Sequence, residues 1–120
     1  MIIAENLHKQ LRLAELIDLV GLFYEEVGNK FDRFPDLYSN ECNEEILHLN
    51  TVCYLDDSLK IENGEEVYSE FVLQHNLDFI CSGDDFTLTY DYLLEHQGSI
   101  SKVIFIEFLN FYLENDTFPE

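Results

Sequence analysis

Between residues 13 and 27 the apolar side chains keep one spacing. Leu13, Leu16, Ile17, Val20, Phe23, Tyr24 and Val27 advance by three and four residues, which sets them on one face of an α-helix. Leu19 and Leu22 widen the stripe, and Glu15, Asp18, Glu25 and Glu26 interrupt it. Gly28 stands where a left-handed residue would close the helix. A stripe this broad has to be covered by other parts of the chain. With 120 residues the chain is long enough to build a core, since it buries roughly two-thirds of its unfolded surface. That length points to a single domain over residues 1–120. Residues 4–12 either extend this helix or form a separate turn.

The middle of the chain has the period of a sheet. Over residues 46–55, Leu47, Leu49, Thr51, Cys53 and Leu55 fall on one face, and Ile46, His48, Asn50, Val52 and Tyr54 on the other. Leu37-Tyr38 and Leu77 to Cys81 are two further candidate strands, and Asn63-Gly64 is a tight-turn signal. Three more helices are expected over residues 66–75, 85–97 and 101–114. Asp84 or Asp85 would cap the second of these, and Gly98 follows its end. The last, with Val103, Phe105, Ile106, Phe108, Leu109, Tyr112 and Leu113, is apolar enough to be largely buried. The expected fold class is α+β: a small antiparallel sheet of about three strands packed with four or so helices on one or both sides.

Charge narrows the range of partners. The chain carries 25 acidic and 6 basic residues, a net charge of −19. Its 47% hydrophobic and 14% aromatic content excludes a disordered acidic tail. Direct binding to nucleic acid needs a basic surface that six cations do not supply. No run reaches the length of a membrane span, and Met1-Ile2-Ile3-Ala4-Glu5 has no basic leader region, so no membrane association is expected. Cys42, Cys53 and Cys81 are odd in number and widely spaced, which fits free thiols in a reducing cytosol rather than a disulfide framework.

No catalytic, cofactor or metal motif emerges. Glu25-Glu26, Glu44-Glu45, Asp56-Asp57, Glu65-Glu66 and Asp84-Asp85 read as solvated surface in the absence of a pocket that would separate their pKa values. His8, His48, His75 and His96 stand at no metal-ligand spacing from each other or from a Cys. Residues 56–64 fail the calcium-loop pattern, because Leu59 and Lys60 occupy positions 4 and 5 and the glycine comes too late. Gly83-Asp84-Asp85 lacks a phosphate-loop context.

The acids are unevenly spread. Residues 61–120 hold 13 acids against Lys102, and the segment 54–70 is the densest stretch, with six acids and one lysine. Nineteen net charges on the roughly 6,700 Å² expected for this mass leave only two or three per interface-sized patch, so an acidic binding face requires clustering. The candidate partner-binding residues are therefore Tyr54, Asp56, Asp57, Glu62, Glu65, Glu66, Tyr68 and Glu70, helped by Asp84 and Asp85. Tyrosines are favoured interface anchors. Solubility or a halophilic cytoplasm is the plainer explanation of the charge.

Two stretches resemble a known family. Asp36-Leu37-Tyr38-Ser39 followed by Thr51-Val52-Cys53-Tyr54-Leu55-Asp56-Asp57, and the tail Phe108-Leu109-Asn110-Phe111-Tyr112-Leu113-Glu114-Asn115-Asp116-Thr117-Phe118, are similar to motifs of small acidic bacterial immunity proteins, including those of contact-dependent growth inhibition. The likeness spans most of residues 14–118. It implies no enzyme and no cofactor, a cytoplasmic location, and a basic toxin C-terminal domain, a nuclease, as partner. The expected function is neutralisation of that toxin by covering its active site. The alternatives are an acidic nucleic-acid mimic or adaptor that inhibits a DNA-binding protein and, with less support, a small hydrolase.

Overall fold

The computed structural model describes residues 5–27, 34–40, 46–56 and 60–119. Gly28, Cys42 and Asp57 therefore lie outside the described residues, as do Lys30 and Arg33. The described elements run β1 (Leu11–Arg12), α1 (Leu13–Val27), β2 (Asp36–Ser39), β3 (Val52–Asp56), β4 (Lys60–Glu62), β5 (Glu65–Val67), α2 (Glu70–Gln74), β6 (Asp78–Cys81), α3 (Gly83–Gln97) and α4 (Lys102–Asn115). The class is α+β. Four strands form an antiparallel sheet in the order β1-β3-β2-β6, and β4 and β5 pair as a separate ribbon. Residues 5–12 do not extend α1: Leu7 bridges Leu55, and β1 pairs with β3. Among the described residues no helix is long and apolar enough to cross a membrane.

Alternation along β2 and β3 gives the sheet two different faces. Leu37, Cys53 and Leu55 pack with Leu13, Leu16, Val20, Phe86, Phe105 and Leu109 in the main core, under α1, α3 and α4. Tyr38 points the other way, into a smaller cluster with Val72, Leu77, Tyr54, Tyr68 and Phe71. In β6 the pairing shifts between Leu37↔Cys81 and Tyr38↔Phe79, which leaves Ile80 as an extra, bulged residue.

Four expectations are corrected. The strand read over 46–55 begins only at Val52. Its first half turns, with the Thr51 amide donating to the His48 carbonyl, and the Thr51 and Leu49 carbonyls accept the Leu13 and Ala14 amides, each at 3.0 Å. Those amides are first-turn donors of α1 without intrahelical partners, so the segment ends α1 instead of prolonging β3. The helix read over 66–75 shrinks to Glu70–Gln74, because Asn63-Gly64 reverses the chain and residues 65–67 pair with 60–62. The α3 cap is Ser82, not Asp84 or Asp85: its Oγ accepts the Asp85 amide at 3.0 Å. Helix α4 is less buried than its composition implied. Phe105, Ile106 and Leu109 are covered, whereas Val103 is 60% exposed and Phe111 and Leu113 are also open to solvent. It lies on the outside of the helical layer, where only one stripe finds a neighbour.

Gly83 is fixed by packing. A Cβ there would sit 1.8 Å from the Phe34 carbonyl oxygen, so the start of α3 can meet the 34–35 backbone only without a side chain.

Candidate partner-binding face

The ribbon presents the acids most openly. Its register pairs Lys60 with Val67, Ile61 with Glu66 and Glu62 with Glu65. Asn63 (φ 53°) and Gly64 (φ 82°) are both left-handed, which matches the twist of a two-residue hairpin and explains the Asn-Gly pair. Residues 61–65 are all exposed, and Ile61 reaches 72%. Glu62 and Glu65 face each other beside the turn, a like-charge pair that works against the ribbon. No hydrogen bond or ion pair to either carboxylate is found among the described residues.

The other candidates divide. Tyr54 and Tyr68 are half-buried: Tyr54 meets Phe71 edge-on at 5.8 Å, and Tyr68 meets Tyr38 at 6.5 Å. Glu70 is exposed and accepts from Gln74 Nε2 at 3.0 Å. Asp84 is exposed and Asp85 half-buried in the first turn of α3, where the helix dipole favours negative charge. Glu66 belongs to β5, and its side chain, like Asp57, lies outside what is described. β3 and β6 both run antiparallel to β2, so Asp84 and Asp85 follow β6 past the sheet end at which Asp56 lies.

Asp56 is corrected as a contact residue, because it is only 3% exposed. His8 Nε2 lies 2.9 Å from its Oδ1, and the Ser69 hydroxyl donates to Oδ2. Ser69 Oγ in turn accepts the Val72 amide as the cap of α2. The His8 ring stacks on Phe71 with centroids 4.0 Å apart. One carboxylate thus joins the N-terminal segment, β3 and α2. Directly opposite, Asp36 is also buried and accepts the Gly83 amide at 3.0 Å. Burial first, and then these two carboxylates, push the Tyr38 hydroxyl up to about 12.

Ser, His and Asp together invite a hydrolytic reading, but their order does not support it. A nucleophilic serine needs the imidazole between itself and the carboxylate. Here Asp56 is central, and the Ser69 hydroxyl donates its hydrogen bond to the carboxylate. The shallow depression bounded by His8, Asp56, Ser69, Glu70, Phe71 and Gln74 brings no base to Ser69 Oγ. Sequence reasoning missed His8, Ser69 and Asp36. Ser69 ahead of a helical segment was a legible cap signal, whereas the His8–Asp56 contact spans 48 residues and leaves no local pattern.

Cys53 and Cys81 are buried and form no disulfide. Burial, then Cys53 and two carboxylates, raises the Cys81 thiol well above its ordinary value, so it is a poor nucleophile. Among the described residues no three His, Cys, Asp or Glu side chains are placed to hold a metal. Comparison with family models, with curated proteins and with solved structures gives no match to this chain.

Proposed function

We propose that this chain is a non-enzymatic inhibitor: an immunity protein that binds a basic toxin domain, a nuclease, in the cytoplasm and covers its active site. One observation carries the reading. Glu62 and Glu65 are held opposite each other at the tip of an exposed ribbon, with no hydrogen bond or ion pair to either carboxylate among the described residues. Folding gains nothing from that arrangement, but a groove built for phosphates would. The carboxylates of Glu62, Glu65, Glu66 and Glu70 would occupy phosphate positions, with Asp84 and Asp85 at the margin. Exposed Ile61 and Val67 supply apolar contact area. The wider negative field speeds encounter, and the central pairs slow release.

The test is purification of the chain with the product of its neighbouring reading frame, followed by growth rescue of cells expressing that product. A stoichiometric complex with rescue supports the proposal. A complex with a DNA-binding protein that lacks toxicity favours the nucleic-acid mimic, and the absence of any complex overturns both. To locate the face, Glu62, Glu65, Glu66 and Glu70 are changed together to Gln. Amide replacements at Glu15, Asp18, Glu25 and Glu26 on α1 serve as the comparison. Protection lost only in the α1 variant removes the ribbon from the interface.

A further inference from the structure

We propose that the outer edge of β6, with the groove beside it, is a second docking surface that takes an extended basic and apolar segment of a partner protein as an added strand. Among the described strands β6 is the last of the sheet and pairs on one side only, with β2. Alternate residues of an edge strand direct N–H and C=O groups away from the sheet, ready to pair with another chain. Among the described residues no other hydrogen bond is made by residues 78–81 towards that side.

Beside this edge runs a groove of about 470 Å³. Ile46, Phe79, Ile80 and Leu113 supply its apolar lining. Ile46 is 57% exposed and Phe79 42%, large apolar side chains left open to solvent. The wall is preformed. Asn110 Nδ2 donates to the Leu47 carbonyl and Asn110 Oδ1 accepts the Leu47 amide, both at 2.9 Å, which fixes residues 46–47 against α4. Successive side chains of an added strand alternate between faces. One set would enter the groove lined by Phe79, Ile80 and Leu113, and the other would face away from it.

Charge selects the occupant. Exposed Glu114 lines the groove and exposed Asp78 opens the β6 edge, so the incoming strand carries Lys or Arg between its apolar residues. A second copy of this chain would bring another net −19 to the same place and is disfavoured. The Ile80 bulge, the short length of β6 and Asp78 are the usual devices that stop an edge from pairing indiscriminately. No residue of this surface belongs to the ribbon, so it stands or falls independently of the toxin reading.

The probe is a blocked heptapeptide alternating lysine and valine, titrated into isotope-labelled protein. Expected are amide shifts confined to residues 46–47, 78–81 and 110–114, and at least tenfold weaker binding of the same peptide N-methylated at alternate residues. An Ile46→Lys/Leu113→Lys variant alters only exposed positions. It should keep the wild-type spectrum elsewhere and weaken binding at least tenfold. Equal binding of the N-methylated peptide means charge alone is read and overturns the proposal. So do shifts centred on residues 60–67, no binding at all, or sedimentation showing that the chain pairs with itself through β6.

Discussion

Asp56 and Glu62 are the same kind of residue by sequence, six positions apart in one acidic segment, yet they do opposite work. Asp56 is buried between His8 and Ser69 and ties three parts of the chain together. Glu62 projects from a ribbon into solvent. Asp56→Asn should therefore lower stability by about 1–3 kcal/mol, the usual cost of leaving buried hydrogen-bonding groups mispaired. Glu62→Gln should denature in urea close to wild type, as surface changes usually do. Equal effects would mean that the buried carboxylate contributes no more than a surface one. Tyr38 reads the same cluster through its proton. Its folded pKa of about 12 lies above the ordinary 10, so the folded state holds the proton more tightly than the unfolded one. The stability this contributes is complete below pH 10 and is lost as pH rises to about 12. Tyr38→Phe keeps the ring and removes the titration. It should flatten the loss of stability between pH 10 and 12 that the wild type shows in parallel urea unfolding.

The ribbon shows how far local signals reach at the scale of an element. Asn63-Gly64 specified its turn, and the left-handed angles at both positions agree. An isolated two-stranded ribbon is marginal in water. Replacing Asn63 and Gly64 together by Ala should abolish hydrogen-exchange protection over residues 60–67 and leave that of β2 and β3 intact. Protection lost throughout would show that the ribbon is coupled to the core. Ser82→Ala removes the α3 cap and should cost about 1 kcal/mol, more than Asp84→Asn at the position first read as the cap. Stripe spacing located α1 and α3, because each buries one face. It failed where partners are distant. The alternation at 46–55 persists as a burial pattern, but the 49–51 carbonyls were needed by α1, a tertiary demand with no local trace. The composition of α4 suggested burial, but composition does not say how many neighbours a helix finds. The apolar surface left open at Leu113 lines the β6 groove. For the acidic site, charge density singled out the ribbon and could not separate Asp56 from it.

For the molecule as a whole, the net charge of −19 acts on folding and on association with opposite salt signatures. Like charges crowd together when the chain folds, which opposes the compact state. The Lys102–Asp18 ion pair at 2.7 Å lies between exposed side chains and offsets little of this, while the His8–Asp56 contact is buried at its carboxylate. Sodium chloride shortens the range of charge interactions from about 10 Å at 0.1 M to about 3 Å at 1 M. Repulsion spread over the surface is screened more than the pair in which Asp56 is buried. Melting temperature should therefore rise with salt. A relief of 1 kcal/mol corresponds to roughly 4 °C for a chain of this size. Capture of a basic partner depends on the same field, so its association rate should fall as salt rises, while dissociation, governed by close pairs, changes less. Calorimetry and stopped-flow mixing over one salt series read both signs. A rising melting temperature with an unchanged association rate would mark the charge as a solubility feature and remove steering from the binding mechanism. A falling melting temperature would show that local pairs outweigh the general repulsion. Opposite trends are the outcome expected of a surface whose repulsion is tolerated in the free protein and relieved by its partner.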